Sequence, residues 1–325
     1  MPKLLLYLSF VLFLCISCTT ENKDKTSQLP TSTQEANQNI ILEKKLVAYA
    51  DEELLQRFPA LNHVSVYDIT YLSDNLKVKG FLITPKKEGN YPCVIFNRGG
   101  NREHGVFTNK IIPKTGLVEL AHQGFVVIGS HYRGNAGGEG QEEFGGKDIN
   151  DVLNLIPALE EIYTADTKNI GMYGWSRGGM MTYQALTKTN AIKAAAVGGA
   201  LSDAFECIKD RPKMESRVFS ELIPNYSQNR QEELEKRSAV YWVEKFPKNV
   251  PILLMHGNSD GKVKPSQSLK LASAFDTHRI PFRLIMFEGE DHIIRGKRKE
   301  VNQHVIDWFG RYLREDAPTP DMEYR

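Results

Sequence analysis

From residue 92 onward, short apolar runs alternate with helical segments, and this alternation limits the possible folds more than any other feature of the chain. The runs are CVIFN, FVVIGS, NIGMYG, AAAVGG, PILLMHG and FRLIMFE. Helical periodicity lies between or after them, near 113–123, 148–162, 177–189, 265–277 and 297–314. Strands buried on both faces read as continuous apolar runs. Their alternation with helices predicts an α/β fold, a mostly parallel sheet covered by helices on both faces. Upstream, VSVYDITYL and VKGFLITP flank a Ser-Asp-Asn turn and predict an antiparallel hairpin. Residues 40–57 carry apolar residues at helical spacing and predict an amphipathic helix. Residues 201–248 break the rhythm with charges, Pro212, Pro224, scattered aromatics and no strand-like run. The segment is too long for an ordinary connection, so it predicts a mostly helical cap inserted between two core strands.

Chemistry concentrates at three turns. Gly174-Trp175-Ser176-Arg177-Gly178-Gly179 lies between the strand NIGMYG and a helix that starts near Arg177. A serine on a sharp strand-to-helix turn projects its hydroxyl beyond the sheet edge, and the flanking glycines let neighbouring chain pass close by. The helix N-terminus behind it offers free amides and a positive dipole end to a developing oxyanion. A serine hydroxyl needs a base. In this arrangement the acid and the base follow the serine, each at the end of a later strand. Asp260, in PILLMHGNSDGKVKP, is the candidate acid, and His292, in FRLIMFEGEDHII, the candidate base. Asp291 is a second candidate acid, but residues adjacent in an extended turn point apart. His63, His104, His122 and His131 precede the serine, His278 and His304 fall in or beside predicted helices, and His256 reads as structural.

At these residues the chain resembles the catalytic domain of the prolyl oligopeptidase family. The resemblance is carried by GMYGWSRGGMMTYQAL, HGNSDGKVKP and EDHII, with SHYRGNAGGEG and GGKDINDVLNLIPALEE in support, and spans roughly residues 64–315. It implies an α/β-hydrolase fold with Ser176 as nucleophile, Asp260 as acid and His292 as base. Two departures stand out. Peptide-cleaving members carry a large β-propeller, for which the stretch between Cys18 and Val64 leaves no room. The family often places an oxyanion-donating tyrosine in the loop after the second core strand, where this chain has Arg98 in FNRGGNREHG. An arginine there can stabilise an oxyanion or a substrate carboxylate, or brace the Gly99-Gly100 loop. The backbone amide of Arg177 and the Arg98–Gly100 loop, Gly99 included, are the expected oxyanion donors.

The first 18 residues, MPKLLLYLSFVLFLCISC, have the length and polarity of a secretory signal. Their end resembles a bacterial lipoprotein signal, with small Ser17 before a lipidatable Cys18, although Cys15 stands where leucine is usual. The expected plan is a signal over 1–17, a polar tether over 18–39 and one hydrolase domain over 40–325. The protein would then be extracytoplasmic, held to the membrane through Cys18 alone or, alternatively, secreted. Cys93 sits in an apolar run and is expected to be a buried free thiol. No Cys/His cluster has zinc spacing, and acyl transfer by a serine, a histidine and an aspartate calls for neither metal nor organic cofactor. Lys and Arg total 41 against 40 Asp and Glu, a balance that leaves no electrostatic reason to bind nucleic acid. Three functions follow. The first is a serine peptidase acting on short peptides, the second a carboxylesterase acting on small or sugar-linked esters, and the third a non-catalytic binding lipoprotein on a hydrolase scaffold.

Overall fold

A computed structural model describes residues 39–323. The expected signal, Cys18 and nearly all of the tether lie outside the described residues. Nine strands form one sheet: β1 Ile41–Leu46, β2 Val64–Ser73, β3 Leu76–Pro85, β4 Tyr91–Asn97, β5 Val126–Ser130, β6 Ala165–Trp175, β7 Ile192–Gly198, β8 Ile252–Gly257 and β9 Phe282–Phe287. Their order is β1-β2-β3-β5-β4-β6-β7-β8-β9. The pairs β1–β2, β2–β3 and β3–β5 are antiparallel, and from β5 to β9 every pairing is parallel. The sheet is therefore mixed and mostly parallel.

Period-two alternation sends successive strand residues to two separate cores. On one face Cys93, Ile95, Val126, Ile128, Ile252 and Leu254 pack under the helices Ile149–Leu153, Leu155–Leu159, Arg177–Leu186 and Pro265–His278. On the other, Val94, Phe96, Val127, Leu253 and Met255 pack under Leu117–His122 and Arg298–Phe309. Both faces of the parallel strands are covered, which is why their sequences are apolar without a break. Cys93 and Cys207 are buried free thiols, and burial raises the pKa of both, that of Cys207 to about 11.

The expected helix over 40–57 is corrected. Residues 41–46 form β1, antiparallel to β2, and only Glu52–Arg57 is helical, started by Asp51, whose side chain accepts from the Leu54 amide. The open edge of β2 supplies ladder partners that helical spacing cannot reveal, and Glu161 accepts from the Ile40 and Ile41 amides. Glu43, Lys44 and Lys45 keep this sheet edge charged, which discourages pairing with another chain.

Between β7 and β8 the chain is helical and contains no strand, as expected for the cap. Its helices include Ala204–Asp210 and Tyr226–Lys236. Phe219, Leu222, Ile223, Tyr226 and Leu234 are buried in its interior, and Trp242 stacks on Phe246 at 5.4 Å.

Candidate active site

Ser176, Asp260 and His292 follow β6, β8 and β9, so parallel pairing delivers all three to the same end of the sheet. Ser176 has φ 58° and ψ −121°, a conformation disfavoured for any side chain larger than glycine. Three backbone hydrogen bonds hold it. Its amide donates to Gly198 at 2.9 Å, and its carbonyl accepts from Gly179 at 3.0 Å and Leu201 at 3.2 Å. The flanking glycines answer to crowding. A Cβ on Gly174 would stand 2.2 Å from the Gly178 carbonyl oxygen, and one on Gly178 would stand 1.8 Å from that of Asn97. The helix Arg177–Leu186 starts directly after the serine, and its first amides have no acceptor within the helix.

Asp260 is buried and fully engaged. Its Oδ2 accepts from His292 Nδ1 at 2.7 Å and from His256 Nε2 at 3.1 Å, while Oδ1 accepts from the amides of Lys262 at 2.7 Å and Val263 at 3.0 Å. Burial alone would raise its pKa. The donors His256 and His292, the His292 charge and the Val263 amide outweigh that effect and hold the carboxyl well below the usual carboxylate range. His256 is fully buried, and its Nε2 also lies 2.9 Å from the Val263 carbonyl oxygen. The carbonyl can only accept, so that contact requires a proton on Nε2, while Nδ1 meets the Ser268 hydroxyl at 2.6 Å. His256 is therefore a fixed donor to Asp260. Its structural reading in the sequence was sound, but its direct bond to the acid was invisible there. Asp291 is occupied elsewhere, accepting from the Ile293 and Arg295 amides. The Trp175 indole donates to the His292 carbonyl at 3.0 Å and ties the base loop to the serine turn.

Ser176 and His292 line one cavity of about 540 Å³. Phe96, Phe107, Trp175, Phe144 and Leu201 give it apolar walls, and the cap adds Cys207, Arg211 and Met214. The cap aromatics Phe205, Phe219, Tyr226, Tyr241 and Trp242 do not line it. Gly99 abuts the serine: a Cβ there would lie 3.2 Å from Ser176 Cβ.

The Arg98 side chain is fully buried and turned away from this cavity. Its guanidinium donates to the carbonyls of His131, Gly99, His104 and Arg102 and lies over the Tyr132 ring at 5.0 Å. Burial and the nearby Arg177 charge push its pKa down to about 10. Of the alternatives open in the sequence, bracing of the loop is the one the geometry supports. The Arg177 side chain is buried between Glu142 and Asp148, the latter at 2.5 Å, and also donates to the Gly100 carbonyl. Burial opposes its charge, but those two carboxylates outweigh the penalty and raise its pKa. Glu142 additionally accepts from the Arg102 amide, so one carboxylate joins the serine turn to the loop after β4. Asp148 carried no signal in the sequence beyond its place in a resembling segment, and Glu142, which falls between two such segments, carried none.

Residues 114–316 match the prolyl oligopeptidase family, peptidase S9. The chain is 33% identical over 257 residues to the uncharacterized peptidase YtmA of Bacillus subtilis, covering 78% of this chain and 97% of that protein. This chain belongs to the prolyl oligopeptidase family. It is thereby a serine-type peptidase of the S9 class, and its mixed sheet is that of the family's hydrolase domains. Other relatives are longer. The uncharacterized peptidase YuxL of Bacillus subtilis is 27% identical, with 74% of this chain and 38% of that one covered. Pyrococcus horikoshii acylaminoacyl peptidase superposes with a TM-score of 0.69 at 21% identity, over 85% of this chain and 45% of that one. The family match includes Ser176, Asp260 and His292, whereas β4 and the Arg98 loop precede it.

Proposed function

We propose that this S9 family member hydrolyses short peptides through an acyl-enzyme on Ser176. The observation that carries the assignment is the Asp260–His292 pair at 2.7 Å, opening onto the same cavity as a serine held in a strained turn. His292 accepts the Ser176 proton through Nε2 as the hydroxyl oxygen attacks the substrate carbonyl. Asp260, ionised by its four donors, keeps the Nδ1 proton in place and stabilises the imidazolium. The Arg177 amide and the Arg98–Gly100 backbone face the developing oxyanion. His292 then returns its proton to the leaving amine, and water attacks the ester in a second round of the same transfers. The relatives named peptidases support amide substrates. The same groups also serve ester hydrolysis, which the assay below separates.

A fluorophosphonate probe should label the native protein at one residue, and Ser176→Ala should lose the label. Ser176→Ala and His292→Ala should each lower turnover about 10⁴-fold or more. Matched peptide amides and p-nitrophenyl esters then rank the substrates. Esters turned over with no peptide cleaved would replace the peptidase by a carboxylesterase. A native protein that takes no label would remove the hydrolase assignment altogether.

A further inference from the structure

The cavity above Ser176 has an uneven charge that the whole chain does not share. Lys114, Arg211, Lys262 and Arg298 line it, together with the already paired Arg177, and no Asp or Glu does. The chain as a whole is almost neutral, at +1. The four cations come from four separate segments: the loop after β4, the cap, the turn behind Asp260, and the start of the C-terminal helix Arg298–Phe309. Several arginines elsewhere in the fold meet carboxylates. Arg133 meets Asp151, Arg237 meets Glu233, Arg230 meets Glu215, and Arg102 meets Glu221. None of the four cavity cations forms an ion pair among the described residues. The Arg211 side chain donates to the Lys262 backbone carbonyl, at 3.3 Å, which brings its guanidinium to the turn that carries Lys262 and Asp260. Arg298 donates to the Ile293 carbonyl and lies over the Trp175 ring at 4.9 Å. Lys114 and Lys262 are exposed.

We propose that this cavity selects substrates that carry a carboxylate, with the apolar part of the substrate against the aromatic walls and its negative charge met by Arg211 and Lys262. Like charges gathered in a cleft with low-dielectric walls focus the field and raise the local concentration of an anion. They also penalise a substrate whose positive end must lie among them. The carboxylate can be a peptide C-terminus or an acidic side chain, and the chemistry of recognition is the same. The proposal rests on Ser176 being the nucleophile.

The test uses the intact protein and blocked short peptides in matched pairs. One pair differs only in a terminal carboxylate against its amide, the other in a Glu against a Gln side chain. At low salt, kcat/KM for a carboxylate substrate should exceed that of its neutral match by about tenfold, the low end of what a focused field supplies. The larger of the two ratios identifies the source of the carboxylate. The ratio should shrink as salt screens the cavity, and in the double variant Arg211→Gln, Lys262→Gln. Equal rates for both pairs, or a preference that neither salt nor the variant reduces, would overturn the proposal. The salt series on the native protein decides the matter even where the variant does not fold. Fluorophosphonate labelling runs alongside. A labelled protein without carboxylate preference loses this inference alone, whereas an unlabelled one loses the hydrolase assignment as well.

Discussion

At the residue scale the least expected participant is His256. Its ring is locked between Ser268, Val263 and Asp260, so its proton sits on Nε2 and is shared with the acid. It touches neither the serine nor the cavity, and it acts by positioning. His256→Phe keeps the bulk but removes the donor, leaving Asp260 Oδ2 with one partner and Ser268 without its ring partner. The expected result is a loss of about 1–3 kcal/mol in stability, the penalty for breaking a buried hydrogen-bonded group. It should be accompanied by a fall in kcat of roughly tenfold with KM nearly unchanged, since the base would be less well held. His256→Gln, which can still donate, should recover part of kcat. Urea titration and steady-state kinetics on both variants check this, and a pure stability loss with native kcat would leave His256 a packing residue. Arg98 teaches the converse lesson. Its place in the loop was legible in the sequence, but whether it faced the substrate depended on how that loop folds around it, with the His104 carbonyl turned inward, and on the His131 carbonyl arriving from the end of β5.

At the scale of elements the serine turn depends on how closely β4, β6 and the helix Arg177–Leu186 approach one another. Gly178 is where the helix touches the end of β4, with the Asn97 carbonyl inside the space a Cβ would need. Backbone cannot yield there as a flexible side chain could. Gly178→Ala should therefore cost about 1–3 kcal/mol or more from overpacking. It should also reduce fluorophosphonate labelling by moving Ser176 and the Gly99 loop apart. A native urea midpoint together with native labelling would show that the turn has slack. The strand–turn–helix order here was readable because a parallel strand and its following helix are local in sequence. β1 was not readable, because its ladder partner lies in β2 and its own residues fit helical spacing equally well. The cap was legible as an interruption, yet which of its side chains reach the cavity was not. Leu201, Cys207, Arg211 and Met214 do, while its aromatic residues pack on one another.

Across the whole molecule, one buried histidine sets an expectation for stability against pH. His131 is 4% exposed and lies beside Arg98, and burial, with that charge, pushes its pKa from 6.5 down to about 3. The folded protein keeps it neutral where the unfolded chain binds a proton. Stability is then complete above pH 6.5 and declines as pH falls from there towards 3. The slope is at most about 1.4 kcal/mol per pH unit for one proton. Replacing His131 by Leu, which cannot titrate, should flatten the fall in urea midpoint between neutral and mildly acidic pH. An unchanged slope would assign the acid sensitivity to other groups. The sequence already contained the α/β alternation, the strand-to-helix serine turn and the order Ser176, Asp260, His292, because the alternation and each of the three turns are patterns of residues close together along the chain. The donors to Asp260 from His256, the bracing of Arg98, the burial of Arg177 between two carboxylates and the unpaired cations around the cavity emerged from the folded molecule. The first depends on how a single turn folds back on itself and the others on which distant segments meet, so a side chain's charge, partners and exposure are properties of the folded contact rather than of its own stretch of chain.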